Sequence, residues 1–128
     1  MPPLEVVDSR ILNWKIKFVD TVADNGSSAR FVVGTKRTPP LGIDARSVGT
    51  GGEKNGRRGA TGAGAAVLGA SPYRAVAWLA NTVGADGLEL NAGDVIMPGS
   101  LCAMVPVERG DVTSADFGVL GTVSVRFV

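Results

Sequence analysis

The stretch 5–28, EVVDSRILNWKIKFVDTVADNGSS, holds the highest density of side chains that could take part in chemistry. Its carboxylates could bind a divalent metal ion or act as a general base. Glu5 stands out among them, since its neighbours are apolar and a buried carboxylate without a partner is unfavourable. The sequence leaves two interpretations of Glu5 open: an outward-facing strand residue, or a metal ligand or general base.

Several other polar residues of this stretch are most simply interpreted as structural, through ion pairs and hydrogen bonds to the backbone. Surface or structural ion pairs are expected among four of its other charged side chains, Asp8, Arg10, Asp20 and Asp24. Ser27 and Ser28 follow the turn dipeptide at 25–26, and serine hydroxyls in such positions most often hydrogen-bond the backbone.

The chain contains no histidine among its 128 residues. It therefore cannot by itself build a Ser-His-Asp or Cys-His nucleophile, an imidazole acid or base, or a His-ligated zinc site. Proton transfer would fall to Asp, Glu, Lys, Tyr or bound water. Any metal would be held by oxygen atoms, which favours Mg²⁺, Mn²⁺ or Ca²⁺.

The overall composition indicates a cytoplasmic protein without a nucleic-acid or membrane partner. The net charge is +1, so no strongly basic surface for nucleic acid is expected. No apolar run reaches the roughly 18 residues of a membrane span, and the N-terminal residues lack the pattern of an export signal. The single cysteine, Cys102, cannot form an intrachain disulfide, which fits a reducing compartment.

Strands and turns are predicted around the candidate residues. Residues 11–19 alternate polar and apolar side chains, which predicts a half-buried strand with an inward row of Leu12, Trp14, Ile16 and Phe18. Residues 20–25 could form one helical turn, and residues 29–34 read as a second strand. A weak hairpin is predicted over 46–62 around the dipeptide Asn55-Gly56.

One substantial helix is predicted over residues 71–83. Ser71 can cap its start, Pro72 suits its first turn, and Gly84 can end it. An apolar stripe at helical spacing is expected to face the core, formed by Val76, Leu79, Ala80 and Val83. Further strands are expected at 94–97, 103–107 and 119–128. This pattern of strands with one main helix indicates an α+β fold.

The glycine-rich run 62–69, GAGAAVLG, lacks the spacing of a dinucleotide- or phosphate-binding loop, and no Lys-Ser/Thr pair follows it. Its glycines are expected to serve tight packing and turns. No nucleotide cofactor is therefore expected from this run.

Several blocks of the sequence, taken in order, resemble one enzyme family. The blocks are EVVDSRI, DTVADN followed by GSS, GAGAAVLG, AVAWLAN, AGDVIMPGSL and LGTVSVRF. They cover nearly the whole chain and resemble the C-terminal half of the 2-hydroxypenta-2,4-dienoate hydratases (2-keto-4-pentenoate hydratases). The 4-oxalocrotonate decarboxylases are close relatives, and both groups sit in the fumarylacetoacetate hydrolase superfamily.

The resemblance implies that residues 1–128 form a C-terminal catalytic domain with a mixed β-roll fold, incomplete without an N-terminal half. It also implies a site for Mg²⁺ or Mn²⁺ held by three carboxylates, of which Glu5 is one. The other two come from an E-x-E motif in the family's N-terminal half, and no E-x-E occurs in this sequence. The serine that contacts the substrate in the family falls on Ser27.

The activity implied by the resemblance is metal-dependent hydration of 2-hydroxypenta-2,4-dienoate to 4-hydroxy-2-oxopentanoate, in the meta-cleavage catabolism of aromatic compounds. Two alternatives stay open: a lyase of the 4-oxalocrotonate decarboxylase type, and a non-catalytic remnant of the fold. One carboxylate does not hold Mg²⁺, so the chain alone is expected to bind metal weakly and to be inactive. Its expected partners are a small 2-hydroxy-dienoate or 2-oxo acid and either further copies of itself, as a homo-oligomer, or a complementing N-terminal polypeptide.

Overall fold

Two separate antiparallel sheets form the framework of the computed structural model, which describes residues 1–128. The first is a two-stranded ribbon of β1 (Pro3–Val7) and β2 (Ser28–Val33). The second contains β3 (Gly49–Lys54), β4 (Arg57–Ala63), β5 (Val112–Asp116) and β6 (Thr122–Arg126). Its strands are ordered β4-β3-β5-β6 across the sheet. Together with two helices, these sheets confirm the expected α+β class.

Alternation along the ribbon separates a core face from an exposed face. Leu4 pairs with Val32, and both side chains pack against the buried core. The next pair, Glu5 and Phe31, points to the opposite face, where both side chains are exposed. The strand expected at 29–34 is therefore confirmed, with its start one residue earlier.

The core lies between the ribbon and the four-stranded sheet. Its centre consists of Val48, Phe117 and Val123, and residues of β1 and β2 pack against them. The chain buries 12 of its 128 residues, so the core is small for this length and many large apolar side chains stay exposed.

The hairpin expected around Asn55-Gly56 is confirmed and joins β3 to β4. Asn55 and Gly56 have φ values of 52° and 74°, the left-handed pair that a type I′ turn requires. A one-residue irregularity between Gly52 and Glu53 interrupts the pairing of the two strands.

A polar network fastens the tip of this hairpin to β5. Asn55 Nδ2 donates to Asp111 Oδ1 at 2.7 Å, and Lys54 Nζ lies 2.8 Å from Asp111 Oδ2. The Val112 N–H donates to Asn55 Oδ1 at 2.9 Å. Hydrogen bonds from the Lys54 ammonium, and next from Asn55, lower the pKa of Asp111 to about 2.

Glycine in β4 permits the close approach of the irregular segment 101–105. A Cβ on Gly62 would lie 1.8 Å from the Leu101 carbonyl oxygen, so no other residue fits there. At Gly59 a Cβ would lie 3.2 Å from the Val105 side chain. The packing role expected for the glycines of 62–69 is thus confirmed at Gly62.

The helix expected at 71–83 is observed as Pro72–Gly84 and is the longer of the two helices. Ser71 occupies the N-cap position, but its hydroxyl makes no capping hydrogen bond, so the expected cap is wrong in its chemistry. The stripe expected to face the core is only half-buried, and its member Ala80 is exposed, because no other element packs extensively against this helix. No helix of the structure combines the length and apolar character needed to cross a bilayer.

The strand expected over 11–19 is wrong. Leu12–Trp14 form a 3₁₀ turn instead, and the helix α1 (Phe18–Ala23) follows it. The Lys17 N–H donates to Asp20 Oδ2 at 2.8 Å, which fixes the start of α1. The longer helix Pro72–Gly84 is accordingly α2.

The side chains of this segment also point differently from the expectation. Asn13 and Trp14 have left-handed φ values of 56° and 54°, which ends any extended run. Three of the four side chains expected to face inward are exposed, namely Leu12, Trp14 and Phe18. The helical turn expected at 20–25 is confirmed in part, as the second half of α1.

The strands expected in the last third of the chain are partly wrong. Residues 94–97 and 103–107 are irregular, and no backbone hydrogen bonds join them to β4. The strand expected over 119–128 is confined to β6. The strand β5, sequence VTSAD, was not expected because its apolar alternation is too weak to stand out.

Candidate functional site

Glu5 lies at the centre of β1, on the exposed face of the ribbon. Its neighbours Leu4 and Val6 are half-buried, so the alternation of the strand decides where the carboxylate points. The carboxylate takes part in none of the ion pairs of the chain. Glu5 is therefore an outward-facing strand residue whose carboxylate is accessible to a ligand outside the chain, and its role as a metal ligand or general base stays a prediction.

Arg10 connects the end of β1 to the turn that precedes β2. Its Nη1 donates to the carbonyl oxygen of Asp8 at 2.9 Å and to that of Ser28 at 3.0 Å. Its Nη2 donates to the carbonyl oxygen of Asp24 at 2.8 Å, and the guanidinium also forms an ion pair with the Asp24 carboxylate. These contacts of Arg10 with Asp8, Asp24 and Ser28 are called the Arg10 clamp below.

The turn held by the Arg10 clamp has an unusual backbone. Asn25, Gly26 and Ser27 have successive φ values of 51°, 67° and 58°, a region that residues other than glycine adopt rarely. Ser27 is only 2% exposed, and its hydroxyl donates to Asp24 Oδ2 at 3.0 Å. The Asp8 N–H donates to the Ser27 carbonyl oxygen at 2.8 Å, so both the side chain and the backbone of Ser27 are fixed.

Asp24 is the acidic centre of this turn, with its side chain 8% exposed. Burial, the largest single influence, acts to raise the pKa of the carboxyl, and hydrogen bonds from the Arg10 backbone N–H and the Ser27 hydroxyl oppose it. Together with the Arg10 charge they hold the pKa of Asp24 below its usual range. Asp24 is therefore ionised at neutral pH and serves as a structural acceptor, which confirms the ion pair expected for it.

Strand pairing brings the two candidate residues onto one small ribbon. Val7, two residues after Glu5, pairs with Ser28, which directly follows Ser27. The ribbon therefore presents an exposed carboxylate on one strand and, beside the end of that strand, a rigid turn. The Arg10 clamp fixes the position of this turn relative to β1.

Glu5 belongs to no cluster of side chains in this chain that could hold a metal ion. No group of three or more Cys, Asp or Glu side chains in the chain lies close enough together to form a metal site. Mg²⁺ prefers six oxygen ligands and releases its water reluctantly. One exposed carboxylate does not fit that requirement, so the residues of this chain do not by themselves make a site for Mg²⁺ or Mn²⁺.

A polar depression lies elsewhere, on the outer face of the four-stranded sheet. Its volume is about 540 Å³, and its lining contains no hydrophobic residue. Neither Glu5 nor Ser27 lines it. It is therefore separate from the candidate site on the ribbon.

Two features of the site have no clear signal in the sequence. Arg10 reads as one of several surface charges, because most of its acceptors are backbone carbonyl oxygens, which leave no side-chain pattern. The dipeptide Asn25-Gly26 signals a turn, but it does not reveal that the left-handed backbone continues into Ser27.

The chain is 47% identical over 126 residues to the 2-hydroxyhexa-2,4-dienoate hydratase of Comamonas testosteroni, a match that covers 98% of this chain and 47% of that protein. It is 46% identical over 127 residues to the 2-keto-4-pentenoate hydratase of Paraburkholderia xenovorans strain LB400, with coverage of 99% and 47%. The chain thus spans about half the length of the curated relatives it matches. No protein-family model matches it.

One solved structure with the same fold is the 4-oxalocrotonate decarboxylase from Pseudomonas putida G7, complexed with magnesium and adipate. The two chains superimpose with a TM-score of 0.92 at 43% sequence identity. The match covers 99% of this chain and 48% of the decarboxylase. The type of fold expected from the sequence is therefore confirmed.

Proposed function

We propose that the chain forms one wall of a hydratase active site. Nearly the whole chain aligns with about half the length of each related 2-hydroxydienoate hydratase and 4-oxalocrotonate decarboxylase. The reaction adds water to a 2-hydroxy-2,4-dienoate and converts 2-hydroxypenta-2,4-dienoate to 4-hydroxy-2-oxopentanoate. The observation that carries this proposal is the 47% identity to a 2-hydroxyhexa-2,4-dienoate hydratase over 98% of the chain.

In this proposal, Glu5 supplies one ligand of a divalent metal ion, Mg²⁺ or Mn²⁺, whose other ligands come from outside the chain. The exposed position of Glu5 and its lack of an ion pair support this role. The magnesium bound to the similar decarboxylase supports the choice of metal. The rest of the site belongs to a polypeptide that corresponds to the other half of the relatives.

Ser27 is the proposed substrate contact of this chain. Its hydroxyl proton goes to Asp24, so its oxygen can only accept a hydrogen bond from a substrate. Ser27→Gly is the suitable test, because glycine tolerates the φ of 58° better than alanine. We expect kcat/KM of the assembled enzyme to fall about five- to tenfold, the equivalent of one hydrogen bond of about 1 kcal/mol. An unchanged kcat/KM would remove Ser27 from substrate binding.

Reconstitution tests the proposed function. The chain is co-expressed with the part of the C. testosteroni hydratase that lies outside the matched 126 residues. Hydration is followed by the loss of the ultraviolet absorbance of the dienol, with Mg²⁺ and after its removal by a chelator. We expect metal-dependent activity from the pair and none from the chain alone. A pair that assembles but leaves the dienol unchanged in the presence of Mg²⁺ would contradict the proposal.

Decarboxylation is the second candidate function, and the fold match to a 4-oxalocrotonate decarboxylase at a TM-score of 0.92 favours it. The same reconstituted pair separates the two candidates, because decarboxylation of 4-oxalocrotonate releases CO₂ and hydration does not. CO₂ release without hydration would assign the pair to the decarboxylases. Neither reaction from an assembled pair would identify the chain as a non-catalytic remnant of the fold.

Association is a further part of the proposed function. Large apolar side chains outside the ribbon are exposed, among them Trp78 of α2, and surfaces of this kind mark contacts with other chains. We expect the chain to form oligomers with itself or with the complementing polypeptide. Light scattering that finds a soluble monomer with cooperative unfolding would contradict this expectation.

A further inference from the structure

The short helix α1 exposes its apolar side chains and uses its polar ones internally. Phe18 is 82% exposed, and Val19 and Val22 are exposed beside it. Asp20 and Thr21 are less exposed, since the Asp20 carboxylate accepts from the Lys17 N–H and the Thr21 hydroxyl donates to the Lys17 carbonyl oxygen. The apolar face of α1 is therefore directed away from the rest of the chain.

The exposed apolar face continues into the 3₁₀ turn that precedes α1. We define the 12–22 surface as the side chains of Leu12, Trp14, Phe18, Val19 and Val22, all of them exposed. The only element that packs closely against α1 is the turn Asn25–Ser27, so nothing in this chain covers this surface. Five large apolar side chains exposed within eleven residues of one segment indicate a contact site for another polypeptide.

We propose that the 12–22 surface docks the polypeptide segment that corresponds to the other half of the relatives, an inference that rests on the proposed function. The chain covers 47% of the related hydratases, so a segment of similar size remains to be placed. The surface is also next to the site, because α1 runs directly into Asp24 and the turn held by the Arg10 clamp. A segment seated there would lie next to the turn that contains Ser27.

The charges on this segment distinguish the proposed occupant from a second copy of the chain. Lys15 and Lys17 lie within the segment, and neither forms an ion pair. In a two-fold contact of the 12–22 surface with itself, the lysines of both copies would come together and repel one another. A partner with an apolar face bordered by acidic side chains would instead attract these lysines, which favours a different segment as the occupant.

Co-expression of variants with the other half of the C. testosteroni hydratase tests the docking. The variant Phe18→Asp places a charge at the centre of the surface, and Leu41→Asp is the matched control because Leu41 is 94% exposed in a loop elsewhere. We expect the wild-type chain and Leu41→Asp to retain the co-expressed half on affinity purification. Phe18→Asp should retain at least about tenfold less, as for a central residue of an interface.

Two further measurements distinguish a loss of docking from a loss of folding. Circular dichroism melts of the isolated variants show whether each one folds, and the double charge reversal Lys15→Glu, Lys17→Glu weakens docking without adding a charge to an apolar position. Equal retention by wild type, Phe18→Asp and the double variant would overturn the proposal. So would a failure of the wild-type chain to retain the half, or a dimer of the chain alone that Phe18→Asp converts to a monomer.

The docking and the proposed function fail in different ways. Suppose that the wild-type chain retains the co-expressed half, that Phe18→Asp does not, and that the pair catalyses neither hydration nor decarboxylation. The docking would then stand and the proposed function would be wrong. Full activity and full retention with Phe18→Asp would keep the function and remove the docking.

Discussion

Phe117 and Phe18 have the same side chain and opposite surroundings. Phe117 is 8% exposed and packs with Val48 and Val123 at the centre of the core. Phe18 is 82% exposed on the surface of α1. The two residues represent two regions: the sheet region, formed by β3–β6 and the core beneath them, and the site region, formed by β1, β2 and the segment between them.

The two regions are held together by different forces. The sheet region buries apolar side chains and fastens its hairpin through Asp111. In the site region Leu4 and Val32 pack against that core, the polar contacts of the Arg10 clamp hold the turn before β2, and the 12–22 surface stays exposed. Burial of apolar surface supplies the dominant favourable term in folding. We infer that the sheet region stabilises the chain and that the site region is arranged for a partner.

The largest expected effect is the difference in stability between the variants Phe117→Ala and Phe18→Ala. Phe117→Ala leaves a cavity in the core and should lower the free energy of unfolding by about 3–5 kcal/mol. Phe18→Ala should change it by less than about 0.5 kcal/mol, because an exposed side chain loses few contacts. Urea unfolding of the isolated chain, followed by circular dichroism, measures both values. Similar losses in the two variants would show that the site region also contributes to the stability of the isolated chain.

The next largest expected effect is on the rate of the reconstituted enzyme, which should depend on a carboxylate of the site region but not on one of the sheet region. Glu5→Gln in the reconstituted enzyme should lower kcat/KM by more than about 100-fold, since even groups that only support metal ligands contribute 10- to 100-fold. Glu53→Gln, an exposed carboxylate of the sheet region, is the matched control and should leave the rate unchanged. Neither change should alter the melting temperature of the isolated chain. An equal rate for the Glu5 variant and wild type would exclude Glu5 from the mechanism.

The contrast between the regions also explains which parts of the fold follow from sequence. The hairpin at Asn55-Gly56 and helix α2 follow from local chemistry: a dipeptide that accepts left-handed backbone, and a helical apolar period after Pro72. The strand expected over 11–19 fails because the alternating pattern does not reveal the left-handed backbone of Asn13 and Trp14, which ends the extended run. Alternation marks a row of apolar side chains, and here most of that row stays exposed.

The candidate site divides in the same way. The apolar neighbours of Glu5 single it out as a candidate, the family resemblance adds Ser27, and the ribbon places the two near one another. The network that fixes the turn of Ser27 could not be derived, because Arg10 binds mainly to carbonyl oxygens that every residue possesses. Backbone acceptors become specific only after the chain has folded.

A smaller effect is expected from removing the Arg10 clamp. Arg10→Ala leaves the left-handed turn at Asn25–Ser27 without its main support, so amide exchange at Asp8 and Ser27 should accelerate by about tenfold, the effect of losing a net hydrogen bond or two. Arg46→Ala is the matched control, because Arg46 also pairs with an aspartate but only two residues away, on the exposed surface. Hydrogen exchange followed by NMR measures both. Unchanged exchange at Ser27 in Arg10→Ala would show that the turn is stable by itself.

The smallest expected effect is that the stability of the sheet region decreases at acidic pH. Asp111 has a pKa of about 2 in the folded chain and near 3.8 when unperturbed, so between these values the unfolded chain binds more protons. Its stabilising contribution is therefore complete above about pH 4 and is lost as the pH falls through about 2. The lowered pKa of Asp24 acts in the same direction within the site region.

The variant Asp111→Asn separates the contribution of Asp111 to the acid sensitivity of the chain from that of Asp24. In the wild-type chain, we expect the melting temperature to be constant from pH 7 to about pH 4 and then to fall toward pH 2. The variant should melt at a lower temperature at pH 7 and lose less on acidification, because Asp111 no longer titrates. The Asn55 N–H, which donates to the Val112 carbonyl oxygen, reports the sheet region in amide exchange, and the Ser27 N–H reports the site region. If both amides lose protection together in wild type and variant, the two regions unfold as one unit and their separation into a stabilising and a docking region is wrong.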